Sequence, residues 1–162
     1  MPGVELKKMS PTHSLAAIVG SIGQECDLFS EELGSLTELT IDFEKVTFIN
    51  SVGVKTWLDW IKSLPESMIL HFTNCTPLIV NQLNQVTGFI PANGTIESFF
   101  IPYICDECGH EDRVLAKREV DFDWPAQSTP ARISAPDSIA CSKCRAQMEM
   151  DMLPSKFFAF LG

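Results

Sequence analysis

Six cysteines stand in a chain of 162 residues, and four of them fall into two C-x-x-C pairs, Cys105/Cys108 and Cys141/Cys144, separated by 32 residues. Two thiolates held two residues apart by a tight turn aim at one point. Two such turns on neighbouring hairpins build the tetrahedral four-thiolate shell that zinc favours. Gly109 follows the first pair and suits a knuckle turn, because glycine accepts positive φ. Arg145 follows the second, so that turn is expected to be less ideal. Rival readings of the quartet are a redox dithiol and an iron site of the rubredoxin type. We expect structural zinc, since four thiolates leave no open catalytic position. His110, next to the first pair, is expected at the surface or donating to a sulfur. Cys26 and Cys75 stand apart. Cys75 precedes a helix start, where a thiol pKa can fall, but no base is close in sequence.

A second chemical candidate is the turn Asn50-Ser51-Val52-Gly53. Asn or Ser there caps a helix by accepting a bond from a free backbone N–H. The same helix end favours an anion, whether a nucleotide phosphate or a phosphoserine. Trp57 and Trp60 follow on the helix, with Trp57 in its apolar stripe and Trp60 a candidate interface anchor or a second core residue.

The elements that position these residues follow from periodicity. Leu15–Ile22 and Leu36–Phe43 read as strands. Val54, Trp57, Leu58, Ile61 and Leu64 recur at helical spacing up to Pro65. Met68–Phe72 reads as a short strand, and a helix opens at Pro77 and ends by Gly88. Ile96–Ile104 reads as one strand leading into the first cysteine pair. Arg113–Val120 and Gln147–Met152 read as strands around a proline-rich loop. His13 is placed in an N-terminal tail and His71 within a strand, as a satisfied core or edge residue. The amides Asn81, Gln82, Asn84 and Gln85 form a polar helix face, and the final Phe157, Phe158 and Phe160 are expected to dock on the body. This order predicts an α/β sheet with helices packed on it over residues 1–100, then a small β-rich zinc ribbon over 101–162 with a short C-terminal helix. The ribbon is too small for a large core, so its metal would supply folding free energy.

The strand, turn and helix around Phe48-Ile49-Asn50-Ser51-Val52-Gly53 resemble the STAS family, named for sulfate transporters and anti-sigma factor antagonists. Gly23-Gln24-Glu25-Cys26-Asp27-Leu28 is similar to that family's early Gly-x-x-Asp turn, with one residue more. The resemblance covers residues 12–100 and implies a mixed sheet and a bacterial signalling module. It implies that this module binds a protein partner, an anti-sigma factor or kinase-like regulator, through this turn. The family's phospho-acceptor serine falls at Val52, and its usual aspartate at Asn50, so the phospho-switch is altered or lost. Ser51 remains as a secondary candidate for phosphorylation.

Composition narrows the function further. The formal charge is −9, with five basic and eleven acidic residues before residue 100 and seven and ten after it. Both parts repel phosphate backbones and anionic membranes. No run reaches the roughly 18 apolar residues of a membrane span, and the N-terminal stretch lacks a secretion signal, so a cytoplasmic location is expected. The chain carries no G-x-S-x-G, no Walker-type loop and no His/carboxylate cluster, which points to a non-catalytic binding module. The alternatives are a nucleotide or anion sensor, nucleic-acid binding by the ribbon through Arg113, Lys117 and Arg118, and a thiol redox sensor.

Overall fold

The computed structural model describes residues 3–23, 33 and 35–162. The segment resembling the early Gly-x-x-Asp turn, Cys26 included, lies outside these residues apart from Gly23.

The chain runs β1 (Gly3–Lys8), β2 (His13–Ile22), β3 (Glu38–Asp42), β4 (Val46–Ile49), α1 (Ser51–Ser63), β5 (Ile69–Thr73), α2 (Pro77–Gln85) and β6 (Gly94–Ile96). It continues through β7 (Ser98–Ile104), β8 (Glu111–Lys117), β9 (Ser138–Ala140), β10 (Gln147–Met150), α3 (Pro154–Phe157) and a 3-10 turn, Phe158–Leu161. The first sheet has the order β1-β2-β3-β5-β6, with β4 attached to β2. β1 is antiparallel to β2, and β2, β3, β5 and β6 run parallel. The second sheet is β8-β7-β10-β9, all antiparallel. The expected α/β class with a mixed sheet, helices and a second small β unit is what the chain adopts.

Gly20 explains how β2 serves two neighbours. It sits at φ +84°, where the register shifts, so β2 leaves β3 and continues beside β4. Helix α1 begins where Asn50 Oδ1 accepts the Gly53 N–H at 2.7 Å, and it ends at Leu64, extended before Pro65. Its buried residues Gly53, Trp57, Trp60 and Ile61 form one stripe. Trp57 of this stripe meets the rings of Phe43, after β3, of Phe72 on β5 and of Phe89, all within one core. Trp57 stacks on Phe89 with ring centroids 5.2 Å apart and donates its indole N–H to the Phe89 carbonyl at 2.8 Å.

Several expectations are corrected. His13 belongs to β2, not to a tail, and its Nε2 lies 2.8 Å from Thr40 Oγ1. The residues before it form an extra strand, β1, whose alternation is confined to Val4-Glu5-Leu6-Lys7. Ile96–Ile104 is two strands, because the chain passes at Glu97 from the first sheet, where β6 pairs with β5, to the second, where β7 pairs with β8; the Glu97 N–H still donates to the Phe72 carbonyl and its carbonyl accepts the Arg118 N–H. The C-terminal phenylalanines dock as expected. Phe157 is buried, Phe160 packs edge-on to Phe99 at 5.0 Å, and Asn84 Nδ2 donates to the Phe157 carbonyl at 3.0 Å. The proline-rich loop is tied down by buried Phe122, by the Trp124 indole on the Gly94 carbonyl, and by the Tyr103 hydroxyl on the Pro136 carbonyl.

Candidate metal centre and partner surface

β7 ends at Ile104 and delivers Cys105 directly into the first knuckle; Cys141 follows β9 in the same way. The two knuckles repeat one hydrogen-bond pattern. Cys105 N–H donates to the His110 carbonyl and Gly109 N–H to the Cys105 carbonyl, both at 2.8 Å. Cys141 N–H donates to the Ala146 carbonyl at 2.7 Å and Arg145 N–H to the Cys141 carbonyl at 2.9 Å. Gly109 has φ +75° and Arg145 φ +66°. The second knuckle therefore has the geometry of the first, against the expectation from its missing glycine; the pairing of β9 with β10 holds Arg145 in a conformation that costs it more.

The four sulfurs of Cys105, Cys108, Cys141 and Cys144 lie within 4.8 Å of one another. Cys105 Sγ is 3.5 Å from Cys144 Sγ, and Cys108 Sγ is 3.6 Å from Cys141 Sγ. Sulfurs bonded at about 2.3 Å to a tetrahedral metal stand roughly 3.8 Å apart, so this set fits such an ion. The thiols also influence one another. Backbone N–H groups of Cys144 and Lys143, with the Cys108 thiol, hold Cys141 down to about 6 against desolvation. The Ala146 N–H pulls Cys144 down, but the Cys105 thiol, desolvation and the other two thiols outweigh it and push Cys144 up to about 12. Four thiolates at this spacing need a cation among them. His110 is not part of the set; its Nε2 lies 3.2 Å from Ser142 Oγ, across the two knuckles.

Cys75 is buried, and desolvation first and the Asp42 charge second push its thiol well above the ordinary range. Its position before α2 does not lower it, because the group has no access to water.

At the start of α1 the structure divides the motif. Asn50 is occupied as the cap, and Gly53 is buried against β2. Ser51 and Val52 point outward, with Val52 47% exposed. Phe48 on β4, four residues earlier, is 54% exposed. Val46 and Ile49 are the buried residues of that strand. Trp60 is only 8% exposed and packs on Trp57 with ring centroids 5.3 Å apart. It belongs to the core and presents no exposed anchor.

One cluster corrects the expectation of no His/carboxylate cluster, because its members are far apart in sequence. His71 Nε2 lies 2.6 Å from Glu38 Oε2 and its Nδ1 lies 2.8 Å from Glu97 Oε1. Arg118 Nε donates to the other Glu97 oxygen at 2.9 Å. Desolvation raises the Glu97 carboxyl, but Arg118 and His71 outweigh it and hold that carboxyl below its ordinary range. The cluster ties β3, β5, the β6–β7 junction and the residue after β8 together.

Among the described residues no helix is long and apolar enough to cross a membrane. No protein-family model and no curated protein matches the chain. Among solved structures, a chain from the structure of the anti-sigma factor antagonist SpoIIAA in its unphosphorylated form is similar to this one. The identity is 18%, the match covers 54% of this chain and 84% of that chain, and the TM-score is 0.39.

Proposed function

We propose that the chain is a non-catalytic, cytoplasmic signalling module that binds another protein through the first turn of α1, and that its second sheet carries a structural zinc ion. The observation that carries the binding surface is the outward pair Phe48 and Val52, beside a helix cap whose polar group is already used internally. Exposed apolar side chains four residues apart, on either side of the turn into α1, suit a protein contact. The partner class that the motif's resemblance implies is an anti-sigma factor or kinase-like regulator. Val52 holds the place of the phospho-acceptor, so binding is not switched there by phosphate. Zinc is supported by the four-sulfur spacing and gives the ribbon folding energy, with no open position for chemistry.

Two of the three residues of the ribbon's basic patch have partners that weigh against the reading as a nucleic-acid binder. Arg113 lies over the Phe100 ring at 3.8 Å and reaches Glu44, and Arg118 is engaged by Glu97 and Glu119.

The test is affinity capture from the native cell with the wild type beside a Phe48→Glu/Val52→Glu variant and an Asn50/Ser51 double variant. Proteins held by the wild type and lost from the Phe48/Val52 variant, at unchanged melting temperature, support the surface. Identical captures overturn it.

A further inference from the structure

β1 is the terminal strand of the first sheet, and among the described residues it pairs only with β2. Its outer edge therefore carries main-chain N–H and C=O groups with no strand beside them. Such an edge is a template for another strand unless its sequence forbids pairing. The opposite end of the sheet differs. β6 is three residues long, and the Trp124 indole occupies the Gly94 carbonyl there.

The β1 sequence, Gly-Val-Glu-Leu-Lys-Lys, invites one partner in particular. Glu5, Leu6, Lys7 and Lys8 are all exposed, with Leu6 54% exposed although it lies opposite the buried Ala16. We propose that the outer edge of β1 is a homodimerisation surface, pairing antiparallel with β1 of a second copy about a two-fold axis at Leu6. In that register Leu6 meets Leu6, and Glu5 of each copy stands directly opposite Lys7 of the other. Residues directly opposite in an antiparallel pair share a face, so both charge pairs form on one side and the leucine pair on the other. Moving the axis one residue sets Glu5 against Glu5 or Lys7 against Lys7, which is destabilising. The self-complementary Glu-Leu-Lys pattern thus selects both the partner and the register. A two-fold contact also closes on itself, so it yields a dimer and not a filament.

The contact is small. A six-residue edge buries less than a standard interface, so the dimer forms with a dissociation constant on the order of 10–100 μM. Glu5 already faces Lys45 of its own chain at 3.5 Å, but both side chains are largely exposed and free to re-pair.

Sedimentation equilibrium of the full chain between 1 μM and 1 mM tests the proposal, on wild type, Glu5→Lys, Lys7→Glu, and an equimolar mixture of the two variants. Glu5→Lys also sets a lysine beside Lys45, and Lys7→Glu is free of that side effect. Both sites are exposed, and melting curves check that each variant folds. The wild type is expected to dimerise, and each variant to weaken dimerisation tenfold or more. The mixture is expected to recover it to within about threefold of wild type, because each lysine then faces a glutamate again. A wild type monomeric at 1 mM, dimers indifferent to either change, or a mixture that stays monomeric overturns it.

Discussion

Gly53, in the first turn of α1, rests on the backbone of Ile22 at the end of β2. A Cβ at position 53 would lie 1.8 Å from the Ile22 carbonyl oxygen. No flexible side chain can yield there, so the helix or the strand must move. Gly53→Ala is expected to cost about 3 kcal/mol, the upper range for an overpacked site. Urea denaturation measures this, and a change under 0.5 kcal/mol would show that the contact is slack.

Metal analysis is expected to find one zinc per chain. Cys105→Ser, which removes a buried ligand, should lose the metal and the protection of the second sheet. Iron in place of zinc would redirect the reading to a rubredoxin-type site. A folded, metal-free protein with a protected second sheet would dismiss the metal.

Glu97 supplies a pH-dependent contribution. Its folded pKa lies below the ordinary value, so the stabilisation is complete above the unfolded carboxylate range, near 4.3, and fades as pH falls through the folded value. Glu97→Gln is expected to destabilise by roughly 1–2 kcal/mol at pH 7, discounted for partial exposure. The gap between variant and wild type should shrink below pH 4. A gap that persists unchanged at pH 3 would place the effect in packing alone.

Trp57→Phe removes a buried indole and leaves the Phe89 carbonyl without its donor. About 2–3 kcal/mol is expected, combining lost packing with an unmet acceptor. The same chemical denaturation reads it.

Cys75 should resist thiol reagents in the native protein at pH 8 and react only as the protein unfolds. Peptide mapping after a short alkylation pulse distinguishes it from the quartet. Labelling of native Cys75 within seconds would contradict its burial.

The parts legible in the sequence were those written in local chemistry. Asn50, the apolar spacing through Trp57 and Ile61, and Pro65 delimit α1 without reference to the rest of the chain. The C-x-x-C pairs bring their own turns. What was hidden depends on distant partners. His71 meets groups 26 and 33 residues away, so its carboxylates belong to no motif. The break at Glu97, which periodicity runs straight through, falls where the chain passes from one sheet to the other, and that passage is set by the distant partners β5 and β8. β1 alternates over only four residues, Val4 to Lys7, and its whole length is held by pairing with β2. Arg145 shows that a knuckle is set by its ladder as well as by its glycine.

β7 carries one end of each story. Ser98 Oγ accepts the Asn74 N–H and Phe99 bridges to Cys75 beside β5, while the strand's other end runs straight into Cys105. The strand is a common beam, anchored at one end in the aromatic core and at the other in the thiolate cage. A disturbance of the four-cysteine cluster therefore loads the core along seven residues of continuous backbone, and under the proposed zinc site hydrogen exchange along 98–104 would gauge the metal's occupancy.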